Sequence, residues 1–287
     1  MHKIVLKSGK KIEIDVPEKK AIDSFFIFGI HKSGSTLLSK IFYDICNTKN
    51  IAAISIDEHL FKLGVSVGDI NTNINVFKPK NYCYCGFRRF WPKTDKFDFK
   101  NTKKILLVRD PRDAMISYYF SAKYSHSIPK NIAGNVGDKL LAIRNKLLES
   151  DDDNDKRHLD YIEYQGKFLR NNMREYLKKI DDNTQIYRYE DIIFNKEAWI
   201  FSMCNYLGIE IDLSSVKQIA KKHNIIPDAE NSKKHIRSVI PGNYRKHYSD
   251  KIIDYLNEYF QEELKALNYL EVPYYQLNEN QKLAPKL

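Results

Sequence analysis

The stretch Phe25-Phe26-Ile27-Phe28-Gly29-Ile30-His31-Lys32-Ser33-Gly34-Ser35-Thr36-Leu37-Leu38 joins three local patterns. A run of apolar strand formers comes first, a turn with two glycines and small hydroxyl residues follows, and apolar residues then recur at helical spacing to position 46. This order predicts a strand, a loop and a helix. Because the first helical turn leaves backbone N–H groups unpaired and carries the positive end of the macrodipole, the loop should bind an anion.

The loop departs from the nucleoside triphosphate loop G-x-x-x-x-G-K-[ST] at its most informative position. Gly29, Gly34 and Thr36 match, but Ser35 stands where that loop has its lysine. The lysine is Lys32, inside the loop, and no apolar strand ending in aspartate stands out as a magnesium ligand. The pattern favours a phosphate-bearing cofactor handled without a metal, and the alternative is a plain glycine turn between a core strand and a core helix.

The composition bounds the class of protein. The 287 residues are 43% hydrophobic and 13% aromatic, which excludes a disordered chain and fits one α/β domain. The formal net charge of +10 favours an anionic ligand, an acidic acceptor or a nucleic acid, although lysine-rich surfaces without such a partner are common.

The cysteines and the first residues of the chain suggest a reducing compartment. Four cysteines are too few and too scattered for a disulfide framework or a zinc site, so they are expected to be reduced core thiols. No apolar leader precedes residue 11, and no segment reaches membrane-spanning length. We therefore expect a cytoplasmic protein without a membrane span.

One domain with two appendages is the expected organisation. Alternating residues at 3–7 and 11–15, joined by Ser8-Gly9-Lys10, predict a β-hairpin within residues 1–20. The core, residues 22–267, should be a P-loop-like α/β domain with a central, mostly parallel sheet flanked by helices. Residues 268–287 form a polar tail.

A second strand-to-helix joint follows the apolar run that ends at residue 108. Asp110 can cap a helix, Pro111 suits its first position, and Asp113 can support the capped end. Arg109 should then lie at the sheet edge and Ser117 two turns into the helix, so that a guanidinium and a hydroxyl can close on one anion. The alternative is an ordinary joint with a surface arginine.

Together the two motifs resemble those of the sulfotransferases, enzymes that use 3′-phosphoadenosine 5′-phosphosulfate (PAPS). The 5′-phosphosulfate loop of that family is similar to Lys32-Ser33-Gly34-Ser35-Thr36-Leu37, which His31 precedes. The family's 3′-phosphate motif, an arginine followed eight residues later by a serine, is similar to Arg109 and Ser117. The resemblance implies metal-independent sulfuryl transfer that leaves 3′-phosphoadenosine 5′-phosphate (PAP), with Lys32 at the bridging oxygen.

Two further segments extend the resemblance over roughly residues 22–267. Tyr189-Glu190-Asp191 resembles a family segment whose tyrosine lies near the adenine, which implies that role for Tyr189. Residues 235–245 resemble the C-terminal segment that folds over the nucleotide, which implies that Arg237 and Gly242 bind the cofactor. A glycine and a tryptophan of the family pattern are replaced here, at positions 239 and 244.

The base that takes the proton of the acceptor is less clearly marked. The resemblance implies either a histidine just before the second-motif strand or a glutamate shortly after the first helix, and Arg88-Arg89 occupy the former region. Glu58 matches the second arrangement, at the carboxyl end of a strand predicted at 51–56, with His59 as its rival and His126 as a more distant candidate. The alternative is a helix that begins with Asp57 as its cap and Glu58 as a first-turn acid.

The acceptor group should be a hydroxyl or an amine. The basic surface and the polar loop 64–80 favour a carbohydrate as the acceptor. A P-loop kinase-like phosphotransferase is a rival, but it would need lysine at position 35 and a magnesium-holding carboxylate. A nucleic-acid-binding module is disfavoured because the basic residues are scattered. A catalytically inactive nucleotide-binding relative is the remaining alternative.

Overall fold

The computed structural model describes residues 2–14, 22–70, 76–88, 97–149 and 155–270. It opens with a hairpin of two antiparallel strands, β1 His2–Val5 and β2 Lys11–Ile14, which confirms the predicted hairpin. Residue 15, placed by the sequence in the second strand, lies outside the described residues. Ile4 and Ile12 on this hairpin are buried in the main core, so the hairpin is part of the packing of the domain.

A sheet of five parallel strands forms the centre of the domain, as the sequence predicts. The strands are β3 Phe25–Gly29, β4 Ala52–Ser55, β5 Tyr82–Phe87, β6 Lys104–Val108 and β7 Thr184–Arg188. Their order across the sheet is β4-β5-β3-β6-β7, and every neighbouring pair is parallel. The strand that carries the glycine loop, β3, is therefore central.

Ten α-helices accompany the strands within the described residues. They are α1 Ser35–Thr48, α2 Ile56–Lys62, α3 Pro111–Phe120, α4 Val136–Leu148, α5 Asp155–Leu177, α6 Tyr189–Ile192, α7 Lys196–Leu207, α8 Leu213–Lys222, α9 Asp250–Tyr259 and α10 Gln261–Ala266. A π-helical turn, Ser121–Ser125, follows α3, and a 3-10 turn, Asn243–Lys246, precedes α9. Of these helices, none is both long enough and apolar enough to cross a membrane.

Two hydrophobic cores lie on the two faces of the sheet, because successive side chains of a strand point to opposite faces. Phe26 and Phe28 belong to the core that also holds residues of α3, α5 and α9. Phe25 and Ile27 belong to the other core, with residues of α1, α7 and α8. Cys83 and Cys85 share this second face, as the alternation predicts, and all four cysteines are buried free thiols.

Two helix boundaries differ from the sequence interpretation. The cap of α2 is Ser55, whose hydroxyl accepts the N–H of Glu58 at 3.3 Å, and not Asp57. The amphipathic segment 249–267 forms two helices, because Phe260 leaves helical geometry (φ −105°, ψ 18°) while its side chain stays fully buried. The periodicity of apolar residues continues across this break, so it carried no signal of it.

Candidate functional site

The carboxyl ends of the strands meet at one edge of the sheet, and most of the predicted site residues follow one of these ends. The glycine loop follows β3, Arg88 follows β5, Arg109 follows β6 and Tyr189 follows β7. Since β5, β3 and β6 are adjacent, the segments after them are brought side by side. Open α/β sheets bind ligands at this edge.

The loop between β3 and α1 owes its shape to glycine. Gly34 precedes the first residue of α1 with φ 89°, a left-handed conformation that favours glycine. A Cβ at this position would lie 2.9 Å from the ring of Tyr189, so the site has no room for a larger residue. The Ser33 hydroxyl donates to the Ile30 carbonyl at 2.7 Å, which closes the turn. Ser35, Thr36 and Leu37 form the first turn of the helix.

Lys32 is the charged centre of this loop. It has a left-handed backbone, with φ 65°, and its side chain is half-buried. Burial above all, and then the positive charges of Arg88, Arg109 and Arg237, lower the pKa of Lys32 from 10.5 to about 7. A group of cations packed this closely is stabilised by an anion bound among them.

Arg109 lies against the loop from the end of β6. Its buried guanidinium donates to the Lys32 carbonyl at 3.3 Å, stacks 4.4 Å from the Tyr189 ring centre and approaches Asp113 at 3.6 Å. Its Nε is buried and has no hydrogen-bond partner among the described residues. Because an unpaired buried donor is costly, this nitrogen points to a missing acceptor.

Asp113 joins the second motif to the C-terminal segment. Its carboxylate accepts the backbone N–H of Gly242 at 2.7 Å and that of Tyr244 at 2.9 Å, while it also pairs with Arg109. Asp113 lies in the first turn of α3, as predicted, but its carboxylate also binds the C-terminal segment, which the sequence did not predict. Asp110 alone caps that helix, through the N–H of Arg112 at 2.9 Å.

Arg237 reaches the same region from the C-terminal segment. It is buried, forms an ion pair with Glu230 and lies 4.8 Å from the centre of the Phe120 ring. Burial, followed by the charge of Arg109, lowers the pKa of Arg237 to about 10. The two arginines predicted from the two separate motifs are thus close enough for the charge of Arg109 to lower the pKa of Arg237.

Tyr189 borders Arg109, and Ser117 lies on the helix that follows Arg109. Ser117 is half-buried on α3, two turns after Arg109. The hydroxyl of Tyr189 donates to the Val239 carbonyl at 3.2 Å, so this tyrosine ties the end of β7 to the C-terminal segment while its ring supports Arg109.

Arg88 is a further residue of the site, which the sequence reasoning missed. Its Nη2 donates to the Thr36 hydroxyl at 3.2 Å, and its backbone N–H donates to the buried carboxylate of Asp57 at 3.2 Å. Its Nη1 is buried without a hydrogen-bond partner among the described residues, and burial lowers its pKa. The available signal was the arginine pair at the end of a predicted strand. In the sequence analysis this pair served only to show that no histidine occupies that region.

The predicted bases lie on α2, at the edge of this cluster. Glu58 is exposed, pairs with Lys62 at 2.9 Å and accepts a hydrogen bond from the Tyr43 hydroxyl at 3.3 Å. His59 is half-buried on the same helix. The side chain of Glu58 is held by Tyr43 and Lys62, whereas the neighbouring Asp57 contacts Arg88. Among the described residues, no group of three or more His, Cys, Asp or Glu side chains could hold a metal ion.

A cavity adjoins the loop on the side of α3, α4 and α5. It is lined mainly by apolar and aromatic side chains, with two basic groups at its wall; its lining includes Tyr118, Ile128, Leu140, Tyr161, His126 and Arg144. We call it the aromatic cavity. The ring of His31 lies 5.7 Å from that of Tyr118, so the glycine loop packs against a residue of the cavity wall.

Comparisons with known proteins find solved structures with a similar fold. The chain resembles the solved structures of mouse sulfotransferase SULT7A1 complexed with PAP (TM-score 0.56, 15% identity, 91% of this chain and 89% of that one) and of retinol dehydratase in complex with retinol and PAP (TM-score 0.55, 15% identity, 84% and 81%). At this identity the likeness concerns the fold. A search of the curated proteins finds no match.

A family model described as the sulfotransferase domain matches residues 89–268. The matched range contains the Arg109 motif, Tyr189 and the C-terminal segment, while the glycine loop precedes it. Because this range is more than half of the 287 residues, the chain belongs to the sulfotransferase family.

Proposed function

We propose that this sulfotransferase transfers a sulfuryl group from PAPS to a hydroxyl of a small acceptor. The observation that carries the proposal is the convergence of Lys32, Arg88, Arg109 and Arg237 at the carboxyl edge of the sheet. The unpartnered nitrogens of Arg88 and Arg109 fit a ligand with two separated anionic groups. The PAP complexes of the similar structures support the same donor.

The residues divide into two anion sites. Arg109, Arg237 and Ser117 would hold the 3′-phosphate, since the two arginines meet there from different motifs. Lys32, Arg88 with Thr36, and the N–H groups at the start of α1 would hold the 5′-phosphosulfate. Bound PAPS supplies the sulfuryl group, and the protein contributes orientation and charge stabilisation.

Lys32 would act on the bridging oxygen of the leaving phosphate. Although burial and, after it, the surrounding cations bring its pKa to about 7 in the free protein, a bound anion would restore the ammonium form. Four cations at the site would also make a metal ion unnecessary for neutralising charge. The kinase-like alternative lacks its lysine, because Ser35 occupies that position.

The aromatic cavity would receive the acceptor. Its mainly apolar lining favours a hydroxyl compound with an apolar part, and two similar structures hold androsterone or retinol together with PAP. The carbohydrate acceptor and the cytoplasmic location stay predictions from the sequence, and a carbohydrate belongs in any acceptor panel.

Calorimetry with PAP and AMP tests the proposal. Charge-assisted hydrogen bonds are worth about 1.5–3 kcal/mol each, so PAP should bind at least about tenfold more tightly than AMP, with or without magnesium. Radiolabelled PAPS and an acceptor panel should then show transfer. Equal affinities for the two nucleotides would contradict the donor assignment, and tight PAP binding without any transfer would favour an inactive relative.

A further inference from the structure

His126 lies in the wall of the aromatic cavity, where the charge of Lys32 in the glycine loop acts on it. It follows the π-helical turn Ser121–Ser125 directly, and its half-buried ring is part of the cavity lining. From α2, the ring of Phe61 packs 5.6 Å from it. An acceptor bound in the cavity would therefore meet this imidazole on its way to the loop.

One hydrogen bond fixes which nitrogen of the ring is available. Nδ1 of His126 lies 3.0 Å from the carbonyl oxygen of Ser127. A carbonyl can only accept, so Nδ1 carries the proton, and in the neutral ring Nε2 has the free lone pair. The same carbonyl would support the ring after it gains a second proton, as the orienting partner of a base does.

The surroundings keep this ring neutral in the free protein. Burial lowers the pKa of His126 below its ordinary 6.5, and the charges of Lys32, Arg144 and His235 lower it further, against the opposing effect of the Ser127 carbonyl. These charges come from the glycine loop, α4 and the C-terminal segment. Binding of an anionic nucleotide next to Lys32 would offset them, which prepares the ring to accept a proton only when the donor is present.

A second polar group of the cavity points to the same location. Tyr161 is 5% exposed, lines the aromatic cavity, and its hydroxyl has no hydrogen-bond partner among the described residues. A buried hydroxyl without a partner is costly, and a hydroxylated acceptor would satisfy it. The cavity thus offers an apolar wall together with a donor and a base for one hydroxyl group.

We propose that His126, through Nε2, is the general base that accepts the proton of the acceptor hydroxyl, with Tyr161 orienting that hydroxyl. This inference rests on the proposed function. As the acceptor oxygen bonds to sulfur, its proton passes to Nε2; the bond from sulfur to the bridging oxygen breaks, and its electron pair leaves with PAP. The imidazolium keeps its Nδ1 hydrogen bond and returns its extra proton to water after product release.

Nitrogen-15 NMR of the histidine rings tests the inference without an acceptor. The His126 signal, identified by its loss in His126→Asn, should show the Nδ1–H tautomer and a midpoint of protonation below pH 6.5. Saturating PAP and, independently, Lys32→Met should each raise that midpoint. An Nε2–H tautomer, or a midpoint that neither change moves, would overturn the proposal.

Kinetics provide the second readout, with radiolabelled PAPS and 2-naphthol, hexanol and N-acetylglucosamine as acceptors. His126→Asn keeps a donor for the Ser127 carbonyl but has no base at Nε2, so turnover should fall about 10²–10⁴-fold, while PAP affinity stays unchanged. The acidic limb of the pH–rate profile should disappear as well. His223→Asn is the matched control, because His223 pairs with Asp44 at 2.7 Å outside the cavity lining and Lys222 also holds that carboxylate.

The outcomes separate this inference from the proposed function. If PAP fails to bind the wild-type protein, the proposed function fails. If PAP binds and the wild-type protein transfers sulfate, but His126→Asn is equally active, only the assignment of His126 is overturned, and Glu58 or His59 takes its place as the predicted base.

Discussion

Lys32 is expected to act mainly in the transition state of sulfuryl transfer. The bridging oxygen gains most of its negative charge as the sulfuryl group departs, so an ammonium beside it stabilises the transition state more than bound PAP. Lys32→Ala should therefore lower kcat by about 10²-fold or more and weaken PAP binding by a much smaller factor. Radiometric turnover and calorimetry measure the two effects. A proportional loss of both would reduce Lys32 to an anchor.

The lowered pKa of Lys32 also predicts how the stability of the free protein depends on pH. The folded-state pKa is about 7 and the unfolded value about 10.5, so between these values the unfolded chain binds more protons. The free energy of unfolding should then gain a contribution that grows as the pH rises through 7 towards 10. At neutral pH the buried ammonium lowers the free energy of unfolding, so Lys32→Met, which removes that cost, should raise the Tm by roughly 2–4 °C.

Thermal unfolding of both proteins at pH 6, 7, 8 and 9, without nucleotide, checks this linkage. The two Tm profiles should converge as the pH rises. Profiles that stay parallel over the whole range would show that Lys32 remains fully charged in the folded protein.

The sequence predicted the site residues that lie within a local strand-to-helix motif. It did not predict the contacts between residues that are far apart in the chain. Lys32 and Arg109 stand directly in strand-to-helix joints, so short-range patterns predicted their location at the sheet edge. Arg88 matters because its guanidinium meets Thr36 across 52 positions of the chain, and Asp113 because it meets Gly242 across 129. A local sequence pattern cannot predict a contact over such a distance in the chain.

The same distinction holds for strands and helices: local signals predicted individual elements, whereas their arrangement in the sheet was not predicted. The apolar run and the capping residues predicted β6 and α3 closely, since Asp110 and Pro111 are local signals. The insertion of β5 between β4 and β3 was not predictable in this way, because the residues of a strand do not specify which strands pair with it. That order nevertheless decides the site, since it brings Arg88 beside the glycine loop.

One buried carboxylate, that of Asp113, ties α3 to the segment that begins the 3-10 turn Asn243–Lys246. Asp113→Asn would keep one acceptor but lose the charge that pairs with buried Arg109 and one of the two backbone contacts. Breaking a buried pair in this way costs about 3–5 kcal/mol. We expect a clearly lower Tm and weaker PAP binding, since Arg109 and the C-terminal segment lose their common support.

Differential scanning calorimetry and PAP titration of Asp113→Asn measure both effects. Asp138→Asn is the control, because Asp138 is exposed on the first turn of α4. If Asp113→Asn matches the control in Tm and in PAP affinity, the carboxylate does not join the two elements.

The positive charges on the surface of the protein and those in the site differ in how strongly they interact. A net charge of +10 spread over a lysine-rich surface is weakly felt at physiological ionic strength, where the Debye length is about 8 Å. The cations around Lys32 are different, because they are partly or fully buried and their repulsion is screened less. Ligand-free protein thus keeps an unfavourable electrostatic energy at the carboxyl edge of its sheet, and an anionic nucleotide relieves it.

This difference predicts how salt acts on stability with and without nucleotide. Raising NaCl from 0.1 M to 1 M shortens the Debye length from about 10 Å to about 3 Å. In the free protein, chloride and screening should lower the repulsion among the site cations and raise the Tm. With PAP kept saturating at both concentrations, the bound phosphates already neutralise those cations, so the rise should be smaller or reversed, because salt also weakens PAP binding.

General effects of salt on apolar burial act equally on the two forms and cancel in the comparison. An increase of the same size with and without PAP would show that the cations of the site do not repel one another enough to destabilise the free protein.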